Sequence, residues 1–264
     1  MSTFLDDLLA GAHRRVAEAR AREPLEALQA RAEGAPTPPS FRERLIAARV
    51  SVIAEVKRAS PSKGAIRLDL DAAAQARAYV DGGAAAVSVL TEPEQFKGSL
   101  QDLADVTALQ IPALRKDFMV DPYQVWEARA AGAGAILLIV AALDLETLEV
   151  LNAEARRAGL DVLVEVHDAN EIAAAAKIEA DIVGVNSRDL RTFEMDPDAF
   201  KRLRPQLPEG ALAVAESGIN GADDVIAAAN NGADAVLVGE SVVRADDPAA
   251  AVRSLAEAGK EHSS

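Results

Sequence analysis

One pattern repeats eight times between residues 50 and 258 of this chain: a short apolar segment, a polar turn, and an amphipathic segment that ends near a glycine. Short apolar segments are typical of parallel strands covered on both faces, and amphipathic segments are typical of the helices that cover them. The predicted strands are 50–57, 85–91, 112–117, 135–141, 161–166, 181–186, 211–216 and 234–239. The predicted helices are 70–81, 100–109, 122–131, 145–158, 170–179, 197–204, 222–230 and 248–258.

Eight consecutive strand–helix units predict a closed (β/α)8 barrel, the TIM-barrel fold, rather than an open doubly wound sheet. An open sheet of the dinucleotide-binding kind would carry a Gly-x-Gly-x-x-Gly turn after its first strand, and none is present there. Asp121 and Asp247 are each followed by proline, which is a favourable start for a helix. The α/β pattern therefore defines one architecture for most of the chain.

Residues 1–49 precede the first unit and are predicted to form an N-terminal helical extension of the barrel. Apolar spacing predicts a helix over 2–33 with a break at Pro24, and a second, short helix over 41–49. The extension is too short and too rich in arginine to bury a core alone. We therefore expect one domain over 1–264, and we expect the first 40 residues to help cover the mouth of the barrel.

Composition excludes several kinds of function. The 264 residues contain no cysteine, and their net charge is −14 at pH 7. Disulfides and thiolate chemistry are therefore excluded, and His13, His167 and His262 are too scattered to predict a metal site. The acidity argues against a nucleic-acid partner. No segment is long enough to span a membrane and no secretion signal is evident, so we expect a cytoplasmic protein without a membrane partner.

Opposite charges follow the first predicted strand, where a core strand would have none. Glu55 and Lys57 are separated by one residue, so the alternation of side chains along a strand turns both to the same face. The following loop, 60–64, offers hydroxyls, backbone N–H groups and an ammonium group to an anion. An ordinary surface ion pair at a strand end is the alternative interpretation.

Charged and amide side chains also end other predicted strands. Catalytic residues of a (β/α)8 barrel collect at the carboxyl ends of its strands. Surface salt bridges explain any one of these residues, but they do not easily explain five strands that end in this way. The strand-end residues are Glu55 and Lys57 (first strand), Lys116 and Phe118 (third), Glu165 (fifth), Asn186 and Arg188 (sixth), and Glu216 (seventh).

The turns after the last two predicted strands indicate a phosphate site. Ser217-Gly218 and Gly239-Glu240 each contain a glycine, which lets the backbone approach a ligand closely. Loops in these positions of (β/α)8 barrels frequently bind phosphate through backbone N–H groups. The alternative is a pair of tight turns without a ligand.

The choice of lysine at three of these positions indicates proton transfer. The chain has 21 arginines and 7 lysines, yet Lys57, Lys63 and Lys116 all lie at or just after predicted strands. Lysine gives up a proton far more readily than arginine does. Chance placement of a few lysines is the alternative.

Eight segments of the chain resemble those of the indole-3-glycerol phosphate synthases, and they occur in the family's order. The resemblance covers residues 50–255, and the extension also suits that family. The segments are IAEVKRASPSKG, SVLTEPEQFKGSL, LRKDFMVDPYQVWEARAAGA, LLIVAAL, LVEVHD, VGVNSRDL, AESGI and VLVGESVV. The resemblance implies closure of the indole ring of 1-(2-carboxyphenylamino)-1-deoxyribulose 5-phosphate, with loss of carbon dioxide and water. It implies no cofactor and no metal.

The resemblance also implies roles for the strand-end residues. Lys116 would be the general acid on the substrate carbonyl, Glu165 the general base of the dehydration, and Lys57 a second proton-handling cation. The residues leave open how the two lysines divide the steps. Glu55 would hold Lys57, and Asn186 would bind substrate or orient its neighbours. Ser217 is included among the catalytic residues.

The resemblance divides the substrate-binding residues into three groups. One is an apolar wall for the anthranilate ring, another contacts the sugar-derived hydroxyls, and the third forms the phosphate end. Only the backbone N–H of Glu240 is expected at the phosphate, with its carboxylate turned away. The groups are Phe96, Phe118 and Leu138 for the wall, Glu216 for the hydroxyls, and Ser60, Arg188, Ser217, Gly218, Gly239 and Glu240 for the phosphate.

Two other functions fit the same residues. One is a Schiff-base lyase or aldolase with Lys57 or Lys116 as the nucleophile. The other is a non-catalytic module that binds sugar phosphates. We expect a monomer, a loop or supporting role for His167, and a packing role for Trp126.

Overall fold

The structure, a computed structural model, describes residues 4–47 and 49–261 of the chain. Residues 2 and 3 of the predicted first helix, residue 48 and His262 lie outside the described residues. Within the described ranges, no helix has the length and apolar character needed to cross a membrane.

Eight parallel strands close into a barrel, so the predicted fold is confirmed. Each strand pairs with the next along the chain, and the last pairs with the first. For example, Ile53 aligns with Ala86 and Ser51 aligns with Ala235. The strands are β1 (Ser51–Val56), β2 (Ala86–Leu90), β3 (Ala113–Lys116), β4 (Ala135–Ile139), β5 (Asp161–Val166), β6 (Ile182–Asn186), β7 (Leu212–Glu216) and β8 (Ala235–Val238).

Helices surround the barrel and form the N-terminal extension. Several begin at an aspartate whose carboxylate accepts backbone N–H bonds, as Asp121 does from Tyr123 and Asp168 does from Asn170. The helices are α1 (Phe4–Arg22), α2 (Leu25–Glu33), α3 (Phe41–Leu45), α4 (Ala72–Asp81), α5 (Leu100–Thr107), α6 (Pro122–Ala130), α7 (Leu145–Arg157), α8 (Ala169–Lys177), α9 (Ala199–Leu203), α10 (Ala222–Asn230), α11 (Glu240–Val243) and α12 (Pro248–Glu261).

Two local features differ from the predicted pattern. The loop after β1 contains a small antiparallel hairpin of Ala59–Ser60 with Gly64–Ala65. The short helix α11 begins directly after β8 and has a single turn, too short to leave a hydrophobic period in the sequence.

The period-two alternation of the strands separates two apolar layers. Ile53, Leu114 and Leu163 belong to the layer inside the barrel, whereas Val52 and Val164 belong to the layer between strands and helices. All five residues are almost completely buried. The interior of the barrel is therefore a packed core.

The first helix of the extension lies at the mouth of the barrel, as expected. Leu5 and Leu8 of α1 are buried in the same apolar cluster as Phe118, which follows β3. The ring of Phe4 meets that of Phe193 edge to face, with centroids 5.2 Å apart. Phe193 follows β6, so α1 crosses from the β3 side to the β6 side.

The rest of the extension continues to the opposite end of the barrel. Helix α2 packs against α6 on the outside. Phe41 and Leu45 of α3 are fully buried in the inner layer, and the carbonyl of Leu45 accepts a 2.8 Å bond from the Ser51 hydroxyl at the start of β1. The Arg42 backbone N–H donates to Asp161 at the start of β5. Helix α3 therefore closes the amino end of the barrel.

Candidate active site

The carboxyl ends of the strands surround a cavity of about 350 Å³. A cavity of this size suits a small molecule. Most of the residues predicted for a site contribute to its wall, although they come from seven different strand ends and turns. These are Glu55, Lys57, Ser60, Phe96, Lys116, Phe118, Glu165, Asn186, Arg188, Ser217, Gly218, Gly239 and Glu240.

Glu55 is the buried centre of a group that joins β1 to β3. Its Oε1 lies 2.7 Å from Lys57 Nζ, and its Oε2 lies 3.5 Å from Lys116 Nζ. Burial opposes ionisation of Glu55, but the two ammonium groups hold the pKa of its carboxyl below the ordinary value. Glu55 therefore fixes both lysines. Lys57 lines the same cavity as Glu55, as the alternation along β1 predicts.

Lys116 lies between two carboxylates. Besides Glu55, its Nζ lies 2.9 Å from Oε2 of Glu216 at the end of β7. Burial alone would lower the pKa of Lys116, yet the charges of Glu216, Glu55 and Glu165 raise it above its ordinary value. Burial raises the pKa of Glu216 to about 7, helped by Glu165 and Glu55 and opposed by Lys116. Lys116 is therefore a fully protonated donor at neutral pH.

Glu165, at the end of β5, belongs to a hydrogen-bonded chain that reaches the β7 turn. Its Oε1 accepts a 3.1 Å bond from the Asn186 side chain. The Asn186 oxygen in turn accepts bonds from the Ser217 hydroxyl at 2.8 Å and from the Arg188 backbone N–H at 3.0 Å. Asn186 therefore orients Glu165 and, at the same time, fixes the turn that carries Ser217.

One side of the cavity is apolar. The rings of Phe96 and Phe118 are tilted by 41°, with centroids 6.4 Å apart. Leu137 and Ile139 of β4 complete this wall. The prediction of Leu138 for the wall is wrong, because its side chain is buried in the outer layer against the helices. Adjacent residues of a strand face opposite sides, so its neighbours face the cavity instead.

Two buried carboxylates brace the apolar wall, and neither was predicted. Glu92 accepts backbone bonds from Glu94, Gln95 and Phe96, and thereby shapes the loop that carries Phe96. Arg15 of α1 lies 3.5 Å from Glu92. In the sequence, Glu92 directly follows the predicted strand 85–91 and Asp117 ends the predicted strand 112–117, and these positions were the only signal of a role.

The second of these carboxylates, Asp117, lies beside Phe118. It accepts bonds from the Thr91 hydroxyl at 2.7 Å, from Arg115 at 3.0 Å and from Arg15 at 3.2 Å. Arg15 therefore ties the extension to both loops that carry the aromatic rings.

The turns after β7 and β8 line the cavity. Ser217 and Gly218 both have left-handed backbone angles, with φ of 66° and 78°. Gly239 precedes α11, and a Cβ at this position would lie 2.6 Å from Glu55 and 2.9 Å from Lys57. Only glycine therefore lets the β8 turn approach this pair. The lining also includes Ser60 and Arg188, so several donors face the same end.

The side chain of Glu240 is engaged with other side chains. Its Oε1 accepts a 3.1 Å bond from Arg244 and lies 3.9 Å from Lys63 of the loop after β1. Its carboxylate is thus bound to cations, while its backbone N–H begins α11.

The loop after Lys57 is held by Arg58, which the sequence did not single out. Its guanidinium donates to both oxygens of Asp102, at 2.6 and 2.7 Å, and to the Leu70 carbonyl at 2.8 Å. This bidentate pair fixes the backbone that follows Lys57 and so contributes to the position of its ammonium group.

Proton donors, buried carboxylates and two glycine-containing turns line one cavity at the mouth of a (β/α)8 barrel. This arrangement defines an enzyme that works by acid–base catalysis. Comparison with known proteins shows which family of enzymes the chain belongs to. Residues 5–255 match the family model of indole-3-glycerol phosphate synthase, so the chain belongs to that family of decarboxylating lyases of tryptophan biosynthesis.

Relatives from two organisms support this membership. The indole-3-glycerol phosphate synthase of Mycolicibacterium vanbaalenii is 49% identical over 259 residues, which cover 98% of this chain and 95% of that protein. Indole-3-glycerol phosphate synthase 1 of Streptomyces coelicolor is also 49% identical, over 98% of this chain and 96% of its own.

Solved structures with lower identity share the fold alone. Thiamine phosphate pyrophosphorylase from Pyrococcus furiosus has a TM-score of 0.61 and 19% identity, and the match covers 80% of this chain and 96% of that one. The 3-hexulose-6-phosphate synthase of Salmonella typhimurium has a TM-score of 0.63 and 17% identity, over 79% of this chain and 98% of its own.

Proposed function

We propose that this cavity closes the indole ring of 1-(2-carboxyphenylamino)-1-deoxyribulose 5-phosphate, and that its strand-end residues divide the chemistry as follows. The observation that carries the proposal is the position of Lys116. A protonated ammonium group beside an aromatic pair suits a donor to a ketone attached to an aryl amine. Its two carboxylate partners hold it in place before substrate arrives.

Lys116 is the general acid of ring closure. The ring carbon that bears the carboxylate bonds to the ketone carbon, and the ketone oxygen takes a proton from Lys116. The bond to the carboxylate then breaks, carbon dioxide leaves, and its electron pair restores the aromatic ring.

Lys57 and Glu165 carry out the dehydration. Lys57 protonates the new hydroxyl, which leaves as water, and Glu165 accepts the proton lost from the adjacent carbon as the indole double bond forms. Two protons enter and one leaves, so each turnover takes up one proton from solvent. Glu55 holds Lys57, and Asn186 orients Glu165.

Substrate binding is assigned to the two ends of the cavity. Phe96 and Phe118 contact the anthranilate ring, together with Leu137. The phosphate is bound by backbone N–H groups of the turns after β7 and β8, helped by Ser60 and Arg188. The sugar-derived hydroxyls lie between these ends. Glu216, predicted to contact them, is almost completely buried and holds Lys116.

A Schiff-base reaction on either lysine is the competing chemistry. A nucleophilic amine must be unprotonated, whereas the neighbours of Lys116 raise its pKa and keep it charged. This argues for the acid role of Lys116. The single domain, the monomer, the cytoplasmic location and the absence of a nucleic-acid partner stay predictions.

The test is to supply the carboxyphenylamino-deoxyribulose phosphate and follow indole fluorescence. Turnover with one carbon dioxide released per indole formed is the expected result. Borohydride added with substrate distinguishes the competing chemistry, since a covalent adduct on Lys57 or Lys116 would establish a Schiff base. Binding without turnover would instead indicate the non-catalytic module.

A further inference from the structure

His167 lies between the buried Glu165 and a second glutamate on the next helix. His167 directly follows β5. One carboxylate oxygen of Glu171 on α8 accepts a 2.7 Å bond from the His167 backbone N–H and lies 3.1 Å from the ring Nδ1. This double contact fixes the orientation of the imidazole. The ring Nε2 then points inward and lies 3.6 Å from Oε1 of Glu165.

The contacts of the imidazole are made on one side only. Its Nε2 is buried and has no hydrogen-bond partner in the described part of the chain. The distance to Glu165 is slightly longer than a hydrogen bond, but it is short enough for strong attraction between an imidazolium and a carboxylate. A small movement of either side chain would complete the bond.

Glu165 is a buried carboxylate, and His167 is the cationic side chain beside it. Glu165 is 1% exposed, and among the described residues His167 is the one cationic side chain with a nitrogen within 4.0 Å of its carboxylate. Lys116 acts on Glu165 from a greater distance, while its ammonium group contacts Glu216 and Glu55. A buried carboxylate without a cation beside it tends to take up a proton, and a protonated carboxyl is no base.

We propose that His167 is a positioning residue whose imidazolium, fixed by Glu171, keeps the Glu165 carboxylate ionised and directed into the cavity for the dehydration step. The inference rests on the proposed function, in which Glu165 is the base. His167 touches neither substrate nor the reacting atoms in this role, because it acts through Glu165.

The groups around His167 favour its charged form. Burial lowers its pKa, but the bond to Glu171 and the charges of Glu165, Glu171 and Glu216 raise the pKa of His167 to about 9. The facing groups come from β5, α8 and β7. Asp189 lies in the loop after β6, and the charge of His167 acts on it as well. The pKa of Asp189 is lowered mainly by the Thr192 backbone N–H and to a smaller extent by His167. All four facing groups are carboxylates.

The experiment compares His167→Asn, His167→Gln and Glu171→Gln with the parent enzyme. The rate constant kcat and KM are measured from pH 5.5 to 9.5 with the carboxyphenylamino-deoxyribulose phosphate. In both His167 variants we expect kcat at pH 6 to fall about 10–100-fold, with little change in KM, and the acidic limb of the profile to move up by about one pH unit. Glu171→Gln should act in the same direction with a smaller effect. His13→Asn, at an exposed position of α1, is the matched control and should match the parent.

The glutamine variant separates charge from hydrogen bonding. Glutamine can donate a neutral N–H, so a parent-like profile in His167→Gln would overturn the proposal. So would a change in KM or stability without movement of the acidic limb. Nitrogen NMR of the His167 ring in the parent decides the charge without turnover. An imidazolium that persists above pH 8 supports the proposal, and a neutral ring at pH 7 overturns it, even if the variants fail to fold. Failure of the parent to turn over substrate would count against the proposed function and leave the NMR result standing.

Discussion

Gly184 of β6 leaves the space that the carboxylate of Glu216 on the neighbouring β7 occupies. A Cβ at position 184 would overlap Oε1 of Glu216, the oxygen not bound to Lys116. The position of Lys116 on β3 therefore depends on the missing side chain of Gly184 on β6, through the carboxylate of Glu216 that Lys116 binds. Gly184 has no side chain of its own, yet it determines where the carboxylate of Glu216 can lie.

Gly184→Ala is expected to displace Glu216 and thereby to reduce kcat about 100-fold, because the ammonium group of Lys116 moves with its partner. Overpacking should also lower the free energy of unfolding by about 1–3 kcal/mol. Steady-state kinetics and urea denaturation give both quantities. Gly34→Ala, next to α2 with ordinary contacts around it, is the control and should leave kcat unchanged. Full activity in Gly184→Ala would show that Glu216 has another acceptable position.

Lys116→Arg tests whether the site needs a proton donor or only a positive charge. Arginine keeps the charge but holds its proton too tightly to deliver it to a ketone. We therefore expect kcat to fall about 10²–10⁴-fold in both Lys116→Arg and Lys116→Met, with a much smaller change in KM. Lys177→Arg, exposed at the end of α8, is the matched control. If arginine retained kcat while methionine did not, Lys116 would be an electrostatic anchor and the general acid would be Lys57.

Arg15 and Arg14 offer a matched pair on α1. Arg15 binds the buried Glu92 and Asp117, whereas Arg14 binds the exposed Glu94. Arg15→Met is expected to raise KM several-fold, because the loops that carry the aromatic wall lose their tie to the extension, and to lower the free energy of unfolding by about 1 kcal/mol. Arg14→Met should be nearly silent, since exposed pairs contribute little. Equal KM values in the two variants would show that this tie between the extension and the loops does not contribute to substrate binding.

Glu216 should make stability depend on pH. Burial raises its pKa to about 7 from an ordinary value of 4.5, so the folded state binds this proton more tightly than the unfolded state. The resulting stabilisation is complete below pH 4.5 and is lost as pH rises through 7. The free energy of unfolding of Glu216→Gln, relative to the parent, is therefore expected to increase between pH 4.5 and 8. Urea denaturation across this pH range measures the difference in free energy of unfolding between variant and parent. Glu149→Gln, on the exposed face of α7, is the control. A constant difference would contradict the raised pKa.

Much of the site followed from local sequence. Glu55 and Lys57 lie in one short segment, so strand alternation alone predicts that they share a face. The barrel was predicted because eight units recur with similar length, and that fold in turn brings the strand ends together. Leu138 shows the limit of this reasoning. Alternation does not define which of two adjacent residues faces inward, and a shift by one residue exchanges the faces.

The ion pairs could not be predicted in the same way. Lys116 and Glu216 are 100 residues apart, and Arg15 and Asp117 are 102 apart. Nothing local to either residue indicates its partner, because the contact depends on the closure of the barrel and on the path of α1. The raised pKa values follow from these contacts and from burial, so they too required the three-dimensional arrangement.

The path of the extension has a consequence for synthesis of the chain. Arg15 leaves the ribosome 102 residues before its partner Asp117. At about 5–20 residues per second, this interval lasts about 5–20 s, far longer than the time in which a helix forms. Throughout it, the apolar face of α1 that carries Leu5 and Leu8 has no barrel to pack against. The segment made first must therefore dock late, and until then the nascent chain exposes a surface that chaperones bind and that promotes aggregation.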